Sequence, residues 1–563
     1  MFGSRYYGLK GTPLSIAIGI IAGMDFLLFG YDQGVMGGLL TLPEFTRTFP
    51  SIDTTTVSGS SPKATRQGIA IGSYNLGCFV GAVITIWLGQ YLGRRRTIFV
   101  GSAIMIVGAI LQCSAFGLAQ LIVGRIITGL GNGLNTSTVP TWQSETSKAH
   151  KRGQMVMIEG ALITGGIMIS YWIDFGLSFA PGSVAWRFPI AFQIFFALII
   201  VATILRLPES PRWLILKGRE NEAITVLAAL SDLPEEDAVI QSEFAAIKDS
   251  VIEASQGTFA EVFTMGKDRN FHRAALGYVN QMFQQISGIN LITYYAATIY
   301  ENNIGLSPFL SRILAACNGT EYFLASWIPV FTIEKIGRRP LMLFGAAGMS
   351  LSMVVLAITT SFRNNNAAGV VAAVFLFIFN TFFAIGWLGM TWLYPSEIVP
   401  LRIRAPSSAL STSANWIFNF MVVMITPIAF ANIQYQTYII FAVINAFIFP
   451  CVYFFYPETA YRSLEEMDEI FHKTTSVFDV VRIARPENTP NRFDRNGNLL
   501  VNYLETEEHR RRSSSVVAPG GKGMVTVVED KDRSSHNEGY MVEGGFGDGS
   551  ASGSASDNEK TVH

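Results

Sequence analysis

The chain has 563 residues, half of them hydrophobic and only 15% charged, with a formal net charge of −1. A mean hydropathy of +0.34 at this length argues against a soluble enzyme and points to a polytopic membrane protein. The balanced charge gives no electrostatic reason to bind nucleic acid, and no nucleic-acid motif is present.

Each membrane crossing needs about 20 apolar residues. Twelve such stretches are predicted, at 14–37, 67–90, 97–116, 120–140, 155–177, 187–206, 273–297, 308–332, 340–360, 369–394, 406–430 and 436–456. The first is too long for a signal-peptide core and lacks a small-residue cleavage site, so it reads as a membrane helix. It carries Asp32 within the apolar stretch 26–38. A charge at mid-bilayer depth costs roughly 2.5–3.5 kcal/mol, so such a residue is kept for function or to lock helices together. Asp25, one heptad earlier, is expected on nearly the same face, in a solvated part of a cavity. Gly30, Gly34 and Gly38 in span one, Gly77 and Gly81 in span two, and Gly129 and Gly133 in span four predict tightly packed helices.

The connections 89–96, 148–152, 334–339 and 402–404 are basic, whereas 115–120 and 431–435 carry little charge. The positive-inside rule therefore predicts that the basic loops and both termini are cytoplasmic. Residues 207–272 mix charged and apolar positions at helical spacing and read as cytoplasmic amphipathic helices. Asn318 and Thr320 form a glycosylation sequon, but inside span eight, where modification is not expected. After Pro457 the chain turns polar, with a helix expected over 463–473 and disorder from about 484. The run 509–515 reads equally as a basophilic kinase site or as plain solvated tail, so kinase or ubiquitin-ligase regulation is a possible partner relation. The predicted organisation is a terminal segment 1–13, a six-helix half 14–206, a linker 207–272, a second half 273–456 and a tail 457–563. Cys78, Cys113, Cys317 and Cys451 lie in apolar runs without metal or disulfide spacing. No cofactor and no metal are expected.

Three pairs of motifs repeat in register. Gly93, Arg94 and Arg95 after span two match Gly337, Arg338 and Arg339 after span eight. Glu145 and Arg152 after span four match Glu397 and Arg404 after span ten. Pro208 and Glu209 after span six match Pro457 and Glu458 after span twelve. The offsets are 244, 252 and 249 residues, which predicts two six-helix halves in parallel orientation.

These motifs resemble those of the sugar porter family of the major facilitator superfamily. The residues that carry the likeness are Phe29, Gly30, Tyr31, Asp32 and Gln33; Arg125; Glu145 with Arg152; Pro208, Glu209, Arg212 and Trp213; Gln284, Gln285, Gly288 and Asn290; Glu334 to Arg339; Glu397 with Arg404; and Asn415 with Trp416. The likeness covers about residues 14–473. It extends, through Asn135, Trp142 and the stretch 171–177, to a fungal branch that includes a glycerol–proton symporter. This resemblance implies a fungal source, a plasma membrane location and an all-α fold of twelve helices working by alternating access.

Sugar hydroxyls call for fixed amide and aromatic partners, because a buried polar group left unpaired is penalised. Gln284, Gln285, Asn290 and Tyr294 in span seven, Trp392 in span ten and Asn415 in span eleven supply them. The resemblance implies that the amides bond sugar hydroxyls and that Trp392 stacks on the substrate; interhelical glue is the competing role for the amides. Two positions depart from the family pattern. Gly160 stands where many members have a glutamine, with Glu159 beside it as a replacement contact, a titrating group or a buried acid. Tyr322, beside Glu321, stands where many have an asparagine.

Arg125 is the natural partner of Asp32, and the two form the expected proton-coupling pair. Arg94, Glu145, Arg152, Glu209, Arg212, Arg338, Glu397 and Arg404 are expected to form a cytoplasmic ion-pair lattice between the halves. Gln90 and Tyr91 replace the acid and base that Glu334 and Lys335 supply in the second copy. The leading reading is proton-coupled uptake of a monosaccharide. Glycerol or polyol symport, a facilitative sugar carrier and a sugar sensor are the alternatives. The expected partners are thus a small sugar or polyol, protons and the bilayer. An enzyme is not expected, since no nucleophile–base constellation stands out.

Overall fold

In lipid, a run of apolar residues can satisfy its backbone only within itself or in a closed barrel. The computed structural model describes residues 5–54, 61–146, 152–255, 257–362, 365–462 and 464–489, and these are helical throughout, with no strand among them. The first half holds α1 (Gly11–Leu39), α2 (Ser61–Leu92), α3 (Arg94–Cys113), α4 (Leu118–Thr146), α5 (Arg152–Leu177) and α6 (Val184–Thr203). The second holds α7, in two pieces Asn270–Ile286 and Ile289–Thr298, and α8, in two pieces Pro308–Ala325 and Trp327–Ile336. It continues with α9 (Arg338–Ser361), α10 (Asn366–Phe383, then Met390–Ile398), α11 (Arg404–Ile433) and α12 (Gln436–Phe455). Between the halves run three shorter helices, Pro211–Leu216, Glu220–Ser231 and Ala238–Ser255.

Among the described residues, nine helices are long and apolar enough to cross a membrane by themselves. The other three crossings are α4, whose polar side chains lower its hydropathy, and α7 and α8, which are interrupted. The break in α7 falls at the glycine between its amides, which invites local unwinding. Gly288 breaks α7 with φ of 104°, a left-handed conformation that glycine adopts without a Cβ clash. The freed Ser287 carbonyl accepts the Asn445 amide at 2.7 Å. In α10, a π-turn at Ala384–Leu388 loosens the helix instead.

Small residues set the helix separations. A Cβ at Gly30 would lie 1.8 Å from the Ile163 carbonyl oxygen, and one at Gly34 would lie 2.1 Å from Ser170 Oγ, so α1 touches α5 backbone to backbone. Gly77, Gly81, Gly129 and Gly133 bring α2 onto α4 in the same way. The halves meet along two matched seams, α2 with α11 and α5 with α8. Asn318 is buried inside α8 and accepts the Asn380 amide at 2.7 Å, which takes the sequon out of reach of modification.

The motif repeat has a common physical cause. Glu209 accepts the Arg94 backbone N–H at 2.9 Å, and Glu458 accepts that of Arg338 at 2.9 Å. Each carboxylate therefore caps the positive N-terminus of the helix that follows an even span. The preceding prolines are held too: Trp142 Nε1 donates to the Pro208 carbonyl at 3.0 Å, and the Tyr394 hydroxyl donates to that of Pro457 at 2.9 Å.

Beyond α12, the helix Leu464–Lys473 docks on the start of α7, where the guanidinium of buried Arg273 pairs with Asp468. Residues 484–489 are ordered, against expectation, because Arg462 donates to the carbonyls of Ala484 at 2.7 Å and Thr489 at 2.8 Å. The rest of the expected disordered tail, including 509–515, lies outside the described residues.

Candidate functional site

The broken helices α7 and α10 face each other across a cavity between the halves. Gln284, Gln285, Asn290, Trp392 and Asn415 all line it, as do Gln33 and Tyr322. The cavity is about 40 Å³, room for a water or two, against 300–1,000 Å³ for an ordinary ligand pocket. Its apolar wall comes from Phe29, Ile163, Ile167 and Phe383.

The amides form one chain. Asn290 donates to Gln285 Oε1 at 2.5 Å, Gln285 donates to Gln284 Oε1 at 2.9 Å, and Asn415 donates to Gln284 Oε1 at 3.1 Å. Gln284 Nε2 then donates to the carbonyls of Trp387 and Leu388, both at 3.2 Å. Those two carbonyls belong to the π-turn of α10, so the amide chain also satisfies the backbone that the turn releases. Gln281 was not singled out in the sequence. It accepts Asn415 Nδ2 at 2.7 Å and donates to the Thr391 carbonyl at 3.0 Å, fixing Asn415 from behind. Its position one turn before Gln284 on an amide-rich face was the available signal. Gln33, next to Asp32, was also passed over.

Two expected wall residues lie elsewhere. Tyr294 is one turn beyond Asn290 but points away from the cavity, and its hydroxyl donates to Asn75 Oδ1 of α2 at 3.1 Å. Glu159 is buried one turn before Ile163 and is not on the wall. Tyr322 fills the wall against Phe383, while its neighbour Glu321 lines a separate crevice of about 500 Å³ with Trp172 and Thr381.

Asp32 and Arg125 are both fully buried, close enough for their charges to act on one another. Among the described residues, however, no ion pair joins them. Both Asp32 carboxylate oxygens lack a hydrogen-bond donor. Arg125 donates to the Ile71 carbonyl at 3.3 Å and sits over the Tyr74 ring, 5.1 Å from its centre. Asp25 is buried as well, 1% exposed, which corrects the expectation of a solvated position.

The charged residues at the linker end pair within halves rather than across them. Arg94 holds Glu145 through two bonds, at 3.1 and 3.2 Å. Arg338 holds Glu397 at 2.7 Å and, in addition, Glu334 at 2.8 Å. The first half has no counterpart to Glu334, since Gln90 stands there. Glu209 is a helix cap that also meets Arg95 at 3.6 Å. Arg404 donates to the Val399 carbonyl at 3.1 Å, and Arg212 is half-buried on its short helix. The Arg152 side chain lies outside the described residues. Of the lattice expected between halves, Arg94 and Arg338 thus form two clusters inside their own halves, because each starts a helix of the same half as its acid.

Contacts that do cross between halves gather toward the opposite end. The Tyr171 hydroxyl of α5 donates to the Thr293 carbonyl of α7 at 2.8 Å, and Arg312 of α8 donates to the Thr41 carbonyl after α1 at 2.7 Å. Phe29 meets Trp416 edge to face at 5.3 Å between the two.

A profile of the "Sugar (and other) transporter" family matches residues 18–471. The chain is 42% identical over 479 residues to "Sugar transporter STL1" of Saccharomyces cerevisiae, covering 84% of this chain and 83% of that one. It is 40% identical over 481 residues to "MFS-type transporter oryC" of Aspergillus oryzae, covering 84% and 88%. Among solved structures, the proton:xylose symporter XylE bound to 6-bromo-6-deoxy-D-glucose superposes with a TM-score of 0.70 at 24% identity, over 81% of this chain and 99% of that one. That match carries the fold: twelve helices in two parallel six-helix halves. The protein is a multi-pass membrane transporter, not an enzyme, and it belongs to the sugar transporter family of the major facilitator superfamily.

Proposed function

We propose that the protein takes up a monosaccharide, a hexose or pentose, together with a proton across the plasma membrane by alternating access. In this reading the transport halves are 14–206 and 273–456, and the basic connections support a cytoplasmic side for the linker 207–272 and both termini. The observation that carries the reading is the amide chain on α7 and α11 facing a cavity between the halves, one helical turn from a tyrosine that reaches the Asp32–Arg125 region.

In the contracted cavity the amides satisfy one another. Sugar hydroxyls replace those bonds as the halves part, so binding exchanges hydrogen bonds rather than creating unpaired groups. A sugar with a misplaced hydroxyl leaves an amide unpaired, which is the source of selectivity. Trp392 offers a ring face to the sugar. Asn290 and Tyr294 share α7, so substrate contact at the first changes the bond of the second to Asn75, beside Arg125. Protonation of Asp32 removes its attraction for Arg125 and frees α1 and α4 to adjust. The internal clusters of Arg94 and Arg338 keep each half rigid, and Tyr171 and Arg312 hold the outer end shut in this arrangement. The tail run 509–515 is the candidate for kinase or ubiquitin-ligase control.

Glycerol or another polyol is the second reading. It is favoured by the small cavity and by Tyr322, which fills the space of a family amide. Uptake of glucose, xylose and glycerol in a yeast lacking hexose transporters, with and without an uncoupler, separates the two. Asp32→Asn is expected to exchange substrate but not accumulate it. Undiminished accumulation by that variant refutes coupling through Asp32.

A further inference from the structure

Asp25 is a second buried carboxyl on α1, and the site described above does not use it. It lies seven residues from Asp32 toward the linker end, about 10 Å along the helix axis. Its surroundings join three helices. Asn135 of α4 donates to Asp25 Oδ1 at 2.7 Å and to Ser102 Oγ of α3 at 2.9 Å. The approach of α3 fixes that amide, since a Cβ on Gly101 would lie 2.1 Å from Asn135 Oδ1. Asp25 Oδ2 and Asn135 Oδ1 are both buried without a hydrogen-bond partner.

Among the described residues, no charged side chain of the neighbouring elements compensates Asp25. Arg125 of α4 acts at the level of Asp32, two turns away. On α5, Asp174 packs against Gly38 on the other side of α1, and Glu159 lies one turn before Ile163, which packs against Gly30 on that side. The arginines of α3 stand at its start, where Arg94 pairs with Glu145, Arg95 pairs with Glu209 and Arg96 is exposed. Arg187 of α6 is engaged at the far end by the carbonyls of Cys113 and Ala115. Asp232 of the linker lies against Gly11, at the start of α1.

An ionised carboxylate so placed bears a desolvation cost of several kcal/mol, against about 1 kcal/mol from one neutral hydrogen bond. A proton removes the charge and turns Oδ2 from an acceptor into a donor. We propose that Asp25 is a second proton-binding site of this carrier, occupied in this arrangement and exchanging with the linker-side solution during the cycle. In that exchange the O–H bond at Oδ2 breaks, the proton passes to water and the carboxylate remains; the reverse step restores the acid. The exchange during transport rests on the coupled-carrier reading, whereas proton binding does not.

The test is infrared difference spectroscopy of the full-length protein in lipid nanodiscs during a pH titration. A protonated-carboxyl band is expected in the wild type and in Asp32→Asn, and is expected to vanish in Asp25→Asn. If that variant does not fold, Asn135→Ala is expected to move the same band to higher frequency, because it removes the donor to the carboxyl. A band unchanged in these variants overturns the proposal. In proteoliposomes, substrate exchange is expected to lose its dependence on linker-side pH in Asp25→Asn and regain it in Asp25→Glu. A merely structural role would lower yield and leave the pH profile intact, and that result overturns the exchange step. Uncoupler-insensitive wild-type uptake would sink the coupled-carrier reading instead, with the infrared band still deciding Asp25.

Discussion

Gln284→Leu removes the centre of the amide chain while keeping the volume close. Four hydrogen bonds disappear: two given to the α10 π-turn and two received from Gln285 and Asn415. Two of the groups left behind keep another partner. Asn415 still donates to Gln281, and the Trp387 carbonyl still accepts the Thr391 hydroxyl at 2.7 Å. The Gln285 amide and the Leu388 carbonyl are the ones left unpaired. At about 1–3 kcal/mol for each buried unsatisfied group, the total is about 2–6 kcal/mol. Part appears as lost stability and part as weaker substrate binding, because a loosened Gln285 no longer presents its amide. If half falls on binding, the apparent KM rises by about 5- to 140-fold, at about 1.4 kcal/mol per factor of ten. Expression-normalised uptake in a yeast lacking hexose transporters gives KM, and the melting temperature of the purified protein gives the stability share. A KM within about twofold of wild type, together with an unchanged melting temperature, would refute the role given to the amide chain.

Tyr171→Phe deletes one buried bond between the halves, worth about 1 kcal/mol, so the closed-to-open ratio at the outer end falls by about fivefold. Cysteine labelling of the outer cavity wall is expected to speed up accordingly, and unchanged labelling argues against a latch at this residue. Gly30→Ala forces a Cβ to within 1.8 Å of the Ile163 carbonyl and is expected to cost about 1–3 kcal/mol or more, read as a lower melting temperature. Gly19→Ala, which meets nothing within 4 Å, is the control and should melt like the wild type.

The sequence by itself determined that the chain crosses a membrane twelve times in two repeated halves. The cause is local: apolar length and basic loops act on each helix separately. The family motif also marked the amides of α7 and α11 as one candidate site, although Gln284, Gln285 and Asn290 do not share a face of a regular helix. Only the tertiary structure decided where side chains point once helices break. The turn at Gly288 puts Asn290 on the cavity wall and sends Tyr294 to Asn75, one turn later on the same helix. Only the structure showed that Arg94 and Arg338 pair inside their own halves, because the choice between Glu145 and an acid of the other half depends on how the halves are packed. Asp25 is the clearest case. Heptad spacing put it on the face of Asp32, yet its burial is set by α3 and α4, helices some 75 to 110 residues away in the chain, whose approach no local pattern encodes.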